Sequence, residues 1–292
     1  TMDPQERLFL QCVWDLFESN GYTREGLARQ FPKDKGADIG VYVGVTTNSY
    51  QLLGPEQWDK GSSVIPTSLP WSIPNRISYF YNFNGPSIPV DTACSSSLVA
   101  IHMACESLKN QDCKMAIAGG VNLYFHPSKY LAMCQLGMLS KTGKCHAFGE
   151  EADGFVPGEG IGAVLLKPLK QAQADGDEIW GVIKGTSINH GGRTNGYKVP
   201  SPHSQATLIK KVLEQAKLDP STINYIEAHG TGTSLGDPIE IEGLTQAYKE
   251  FVSDNQHCAV GSVKSNIGHC ESAAGIASLT KVLLQMKYKR LT

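Results

Sequence analysis

The sequence lacks the features that would place the protein in a membrane or on a nucleic acid. No apolar run approaches the roughly eighteen residues that a membrane-spanning helix requires. The opening residues, TMDPQERLFLQ, lack the basic and apolar regions of a signal peptide. The formal net charge is −2, and no run of five or more like charges occurs. We therefore expect a cytoplasmic protein with no membrane span and no nucleic-acid partner.

The sequence also lacks a disulfide or metal-binding framework. Its eight cysteines contain no C-x-x-C pair, so reduced thiols are expected, most of them acting as small buried apolar groups. Cys94, His229 and His269 could in principle ligate zinc. No close pair of ligands anchors such a site, so we expect no bound metal.

What the chain does contain is apolar sequence organised for an α/β fold. Its 292 residues, 41% of them hydrophobic, suffice for one large core or two fused ones. Continuous apolar runs alternate with helical patterns, which favours a sheet covered by helices on both faces. The predicted strands cover residues 38–45, 87–91, 115–120, 161–167, 179–185, 223–229 and 258–263. Because the chain opens almost inside a capped helix and stops just past another, we also expect it to be a segment of a larger polypeptide.

One cysteine lies where a reactive thiol would be expected. In DTACSSSL (91–98), Cys94 falls between a predicted strand and a predicted helix, where backbone N–H groups and the positive end of the helix dipole converge. This position favours a thiolate, and the same N–H groups could hold the oxyanion of a tetrahedral intermediate. A buried structural cysteine is the alternative, but the small flanking residues leave room for a substrate.

Two histidines follow strands in glycine-rich loops. His229 lies in EAHGTGT (227–233), and His269 lies in KSNIGHCESAAG (264–275). A single loop histidine is more often a surface residue than a catalyst. Two at matching strand ends, together with Cys94, predict a catalytic group whose side chains meet around one cavity.

Two other segments match the letter patterns of known catalytic or binding motifs. GTSLG (232–236) fits a nucleophile elbow with Ser234 as the nucleophile of a serine hydrolase, but His229 lies only a few residues away in the same loop. GEGIGA (158–163) fits a dinucleotide-binding fingerprint, yet it leads into a predicted strand and not into a helix, so we dismiss it.

The ordered motifs resemble the β-ketoacyl synthase (ketosynthase) family of condensing enzymes. DTACSSSL, EAHGTGT with GDPIE behind it, and KSNIGHCESAAG carry the resemblance, which spans essentially the whole chain. NHGGRTNGYKVPSP (189–202) and HPSKYLAM (126–133) are similar to ketosynthase domains of modular polyketide synthases served by a separate acyltransferase. The resemblance implies a thiolase-like layered αβαβα fold with two similar halves, residues 1–177 and 178–292, truncated at both ends. Such a fragment is expected to be unstable or inactive alone.

The resemblance also implies roles for particular residues. Cys94 would receive the growing acyl chain from an acyl carrier protein, while His229 and His269 would stabilise the enolate formed as a malonyl group loses carbon dioxide. Lys264 would set the electrostatics around His269, with Asn266 and Glu271 in supporting positions. The residues expected to touch the phosphopantetheine arm of the carrier are Thr231 and Thr233.

The resemblance also has implications for the oligomeric state and the cofactors of the protein. It implies a homodimer and no cofactor bound by the domain itself, the substrate being carried on phosphopantetheine. Alternatives are a non-elongating domain that only transfers acyl groups between carriers, a serine hydrolase built on Ser234, and a structural dimerisation domain.

Overall fold

A computed structural model describes residues 2–31, 36–251 and 258–291. The chain divides into two compact units. The first comprises Thr1–Met133, Gly158–Trp180 and Cys270–Ala277. The second comprises Cys134–Pro157, Gly181–His269 and Ser278–Thr292.

Helices and strands alternate through most of the described chain. The helices are α1 (Pro4–Ser19), α2 (Arg24–Gln30), α3 (Leu53–Trp58), α4 (Ser72–Tyr81), α5 (Ser96–Asn110), α6 (Ser128–Gln135), α7 (Leu169–Asp175), α8 (Pro202–Ala216), α9 (Gly236–Tyr248), α10 (Lys264–Ile267) and α11 (Ala274–Tyr288). The strands are β1 (Ile39–Gly44), β2 (Ser87–Val90), β3 (Met115–Asn122), β4 (Gly160–Leu166), β5 (Tyr225–Glu227) and β6 (Ala259–Gly261). Short 3₁₀ turns span Ser49–Leu52, Ala93–Ser95, Pro220–Thr222 and Glu271–Ala273.

The first unit is built on a four-stranded sheet in the order β2-β1-β3-β4. β1 pairs in parallel with β2 and β3, whereas β4 runs antiparallel to β3. Every residue of β1 and β3 is buried, as expected for central strands covered on both faces. The prediction of a sheet covered by helices is confirmed in this unit.

The two faces of this sheet are packed differently. On one face, large apolar side chains such as Val41 and Ile117 join the core formed with Phe9 and Phe17 of α1. On the other face α5 lies so close that a Cβ on Gly44 would come within 2.6 Å of the backbone nitrogen of Ser97. Small residues therefore bring the helix that follows Cys94 against the sheet.

The second unit has a two-stranded parallel sheet in which Tyr225 pairs with Ala259 and Glu227 with Gly261. α8 packs against α9 in the same unit. Predicted and observed strands overlap at six of the seven positions, with β5 and β6 shorter than expected.

The strand predicted over 179–185 is wrong, because residues 177–192 form neither helix nor strand. A strand needs a neighbouring backbone for its hydrogen bonds, and no strand of the described chain pairs with this segment. Its glycines lie against helices instead: a Cβ on Gly181 would touch Leu283 of α11, and one on Gly185 would touch Val212 of α8. Within the described ranges, every helix is too short or too polar to cross a bilayer.

Candidate active site

Cys94 lies in the 3₁₀ turn between β2 and α5, and side-chain hydroxyls hold this turn in shape. The Ser96 hydroxyl accepts a hydrogen bond from the Thr92 N–H at 2.9 Å and donates to the Ala93 carbonyl at 2.6 Å. The Asp91 carboxylate accepts the Ala93 N–H at 3.1 Å and the Thr46 hydroxyl at 2.7 Å. The turn is therefore fixed from both sides while its thiol stays half-buried.

The backbone at this turn is unusual. Ala93 has φ +53°, a left-handed conformation that costs a non-glycine residue roughly 1–2 kcal/mol. Hydrogen bonds of about 1 kcal/mol each from the surrounding hydroxyls offset that cost. The result places Cys94 at the N-terminal end of a 15-residue helix, as the sequence predicts.

His229 lies in the loop after β5 and lines a cavity of about 540 Å³ within the second unit. The residue is exposed because it opens onto this cavity, yet enough protein surrounds the imidazole to remove much of its hydration. This desolvation, and then the positive charge of Lys264, lower the pKa of His229 to about 3. Both effects disfavour the protonated ring, so the imidazole is neutral at pH 7.

His269 is almost fully buried, with 1% of its surface exposed. Its backbone N–H donates to the Val156 carbonyl at 2.7 Å, and its ring meets the edge of the Phe155 ring with centroids 5.1 Å apart. The His229 and His269 rings are 5.4 Å apart between centroids and nearly perpendicular, at 87°. The structure therefore brings the two predicted imidazoles together, whereas Cys94 belongs to the other unit and its place beside them stays a prediction.

The three residues flanking His269 have different surroundings. Lys264 begins α10 and is 2% exposed, whereas Asn266 on the same helix is exposed. Glu271 lies in the first unit, where Lys129 is 3.0 Å from its carboxylate and the Thr47 hydroxyl donates to it at 3.4 Å. The charge of Lys264 acts on one of the imidazoles, since it lowers the pKa of His229. Sequence reasoning gave no role to Lys129, although this residue lies in HPSKYLAM (126–133), because nothing in that segment points to Glu271.

The two predicted arm-binding threonines lie in the His229 loop. Thr231 is buried and lines the cavity, and its hydroxyl oxygen is 3.2 Å from that of Thr233. The cavity is also lined by residues 190–194 and 196–200, from the segment that carried part of the family resemblance. Thr194 holds that segment in a compact turn by donating to the Gly196 and Val199 carbonyls at 2.7 and 2.9 Å.

Sequence reasoning also missed two carboxylates of the GDPIE motif. Asp237 and Glu240, both on α9, accept hydrogen bonds from backbone N–H groups of the His229 loop. The motif supported the family resemblance without suggesting a task for either acid. The one available signal was that both acids lie on the helix that directly follows the His229 loop.

The rival motifs find little structural support. Ser234 is exposed in the turn before α9, well after the last strand residue Glu227, whereas an elbow nucleophile sits directly between strand and helix. The GEGIGA segment leads into β4, which begins at Gly160, so the prediction that it enters a strand and not a helix is confirmed. Among the described residues, no group of three or more His, Cys, Asp or Glu side chains is arranged to hold a metal ion.

Comparison with known proteins places these features in a family. Residues 1–172 match the N-terminal domain of β-ketoacyl synthases, and residues 180–292 match the C-terminal domain. The chain is 60% identical over 290 residues to the polyketide synthase PksL of Bacillus subtilis and 53% identical over 291 residues to PksM of the same organism. Each match covers 99% of this chain but only 6% of PksL and 7% of PksM.

Solved structures give the same result. The chain superposes on an oxazolomycin ketosynthase domain from Streptomyces albus with a TM-score of 0.94 and 49% identity. A ketosynthase from module 6 of the bacillaene synthase of Bacillus subtilis gives a TM-score of 0.91 and 46% identity. Both matches cover 100% of this chain and 49% of the solved chain, so the chain spans about half the length of these relatives. The predicted thiolase-like α/β fold is confirmed.

Proposed function

The chain belongs to the β-ketoacyl synthase family, and on this premise we propose that it carries out the decarboxylative condensation of polyketide biosynthesis. The acyl group would be held on Cys94 as a thioester, and the extender would arrive as malonyl-acyl carrier protein. The resemblance that the ordered motifs carry is confirmed at the level of the family. The reaction and the residue roles are our proposal.

The observation that carries the proposal is the pair of imidazoles 5.4 Å apart, one of which is held neutral. A neutral imidazole has one ring N–H, and this group can donate a hydrogen bond to an oxygen that gains negative charge. Two rings this close to each other suit a single thioester oxygen as it becomes an enolate. Donors of this kind are typically worth about 3–4 kcal/mol each in the transition state.

The first half-reaction assigns Cys94 as the nucleophile. Its thiolate attacks the thioester carbonyl of the acyl carrier, a new carbon–sulfur bond forms, the old one breaks, and the carrier's sulfur leaves as a thiolate. A cysteine suits this step better than a serine, because the resulting thioester stays activated for attack by carbon.

The second half-reaction assigns His229 and His269. The bond between the malonyl carboxylate and the α-carbon breaks, carbon dioxide leaves, and the electron pair is held as an enolate facing the two rings. The α-carbon then attacks the acyl group on Cys94 and expels the sulfur, which leaves a β-ketoacyl group on the carrier. Decarboxylation supplies the driving force and the rings supply the charge sink, so this step draws on the chain's own residues.

The remaining assignments belong to the same proposal. We assign Thr231 and Thr233 to the phosphopantetheine arm, Lys264 to keeping His229 uncharged, and Asn266 and Glu271 to support around His269. Residues 1–177 and 178–292 are proposed as the two ketosynthase halves. An acyl carrier protein, a separate acyltransferase, a second copy of the chain and a cytoplasmic setting complete the proposal.

Two variants test the division of labour in the full-length protein. Cys94→Ala is expected to abolish acyl loading while malonyl decarboxylation persists. His229→Ala is expected to load acyl groups normally and to lose condensation by about a hundredfold to a thousandfold, since one enolate donor is gone. Cys134→Ala, which removes an exposed thiol, serves as the matched control for the cysteine variant.

Mass spectrometry of carrier-bound and Cys94-bound acyl groups measures both steps. Condensation that survives in the His229→Ala variant would refute the assignment of the imidazole. Loading without condensation in the unmutated protein would favour the non-elongating alternative instead. Labelling of Ser234 by a serine-directed phosphonate would revive the hydrolase.

A further inference from the structure

The loop that carries His229 directs its backbone N–H groups at two carboxylates of α9. The Glu240 carboxylate accepts from His229 N–H at 2.7 Å with one oxygen and from Gly230 N–H at 2.8 Å with the other. The Asp237 carboxylate accepts from Gly232 N–H at 3.2 Å and from Thr233 N–H at 3.4 Å. Four of the five residues 229–233 are therefore tied by their backbone to two side chains of one helix.

The fixed conformation of this loop explains why it needs such anchors. Gly230 and Gly232 have φ +42° and +76°, in the left-handed region that favours glycine over other residues. A run of N–H groups that converge on one side forms a concave site for an anion, and here the protein's own carboxylates fill it. The negative charge of Asp237 also lies in the first turn of α9, where the helix dipole favours it.

Asp237 extends the same anchor to a second segment. It is 3% exposed, and its carboxylate also accepts the Phe148 N–H at 2.7 Å. The Gly232 carbonyl in turn accepts the Gly154 N–H at 2.9 Å. The His229 loop is thus held to residues 148–154 as well as to α9.

From these contacts we propose that Glu240 and Asp237 are positioning residues, which fix the His229 imidazole for the condensation step through the loop backbone. This inference rests on the proposed function and adds to it. Because four of the loop N–H groups are committed to the two carboxylates, these four donors are not available to a substrate oxygen. Displacing a catalytic group by about 1 Å can cost a hundredfold in rate, so a small shift of this loop has a large effect.

The test is Glu240→Gln in the full-length protein, with Glu242→Gln as the matched control. A glutamine keeps the length of the side chain but presents one N–H₂ group to a backbone N–H, so it cannot accept both hydrogen bonds. Glu242 lies on the same helix, is exposed, and accepts a hydrogen bond from the Gln246 side chain at 2.7 Å. We expect Glu240→Gln to lower kcat for condensation by about tenfold to a hundredfold with little change in KM for the malonyl carrier.

Acyl loading of Cys94, followed by mass spectrometry, separates positioning from folding. Loading at the normal rate with impaired condensation, and a Glu242→Gln variant that behaves as the unmutated protein, supports the inference. Loss of loading and condensation in equal proportion, or an insoluble variant, would assign Glu240 to the fold alone and overturn it. Asp237→Asn, analysed in the same way, is expected to follow Glu240→Gln.

The same experiment distinguishes this inference from the proposed function. If His229→Ala loses condensation while Glu240→Gln condenses at the normal rate, the positioning role fails and the proposed function stands. If His229→Ala condenses normally, the proposed function fails first, whatever Glu240→Gln does.

Discussion

The Cys94 turn and the His229 loop occupy equivalent places, each between a parallel strand and a helix, but they are held in different ways. Around Cys94 the backbone is tied chiefly by the short Ser96 hydroxyl, with one further hydrogen bond from the Ala93 N–H to the Asp91 carboxylate. Around His229 it is tied by the longer carboxylates of Asp237 and Glu240. The left-handed positions differ too, since the first turn uses Ala93 and the second uses glycines.

The difference follows from what each turn presents. At the Cys94 turn the Ser96 hydroxyl accepts from one backbone group and donates to another, which an ionised carboxylate cannot do. Carboxylates suit a loop whose N–H groups converge, because a charged acceptor makes a hydrogen bond roughly twice as strong as a neutral one. The comparison predicts that the His229 loop is sensitive to loss of glycine or of an acid, and the Cys94 turn to loss of a hydroxyl.

The largest effect is expected from Gly232→Ala. A Cβ at this position would lie 2.8 Å from the backbone nitrogen of His146, and φ is already +76°. Backbone cannot yield as a flexible side chain can, so the loop must move, and we expect condensation to fall by about a hundredfold or more. Condensation and acyl loading measured side by side would check this.

Gly137→Ala is the control for that variant. Gly137 has φ +62° but no atom within 4 Å of its would-be Cβ, so it carries the strain without the collision. Equal losses in the two variants would show that backbone strain alone, and not contact with His146, limits the loop.

A smaller effect is expected at the other turn from Ser96→Ala. Ser96 is fully buried, and removing its hydroxyl leaves the Thr92 N–H without its acceptor, at a cost of about 1–3 kcal/mol. We expect slower acyl loading and faster hydrogen exchange of the peptide covering residues 91–98, measured by mass spectrometry. Ser95→Ala, which removes an exposed hydroxyl bonded to the Thr92 carbonyl, is expected to do less. A reversed order would contradict the part given to Ser96.

The smallest effect concerns pH. The Lys264 charge disfavours protonation of His229, so Lys264→Met is expected to raise the pKa of His229 towards its ordinary value. Desolvation, the larger cause, remains, and the rise should be partial. In the variant, loss of malonyl decarboxylation on acidification should begin at a higher pH than in the unmutated protein. An unchanged or lower onset would show that the Lys264 charge does not lower the pKa of His229.

Much of the fold was predictable because its signals are local. The apolar runs that became β1, β3 and β4 and the helix after Cys94 follow from periodicity and turn chemistry within each segment. The segment over 179–185 has the composition of a strand but lacks a pairing neighbour in the described chain. Composition sets a propensity, and only a partner converts it into a sheet.

The sequence by itself determined which residue types stand at the turns: a thiol before a helix, two imidazoles in glycine-rich loops, and acids behind one of them. Only the tertiary structure decided that the His229 and His269 rings lie 5.4 Å apart, that Phe155 packs against the second ring, and that Asp237 reaches the Phe148 backbone. The physical reason is that chemistry and backbone preference are properties of neighbouring residues. Contacts between distant residues depend on how whole elements pack, which no single segment encodes.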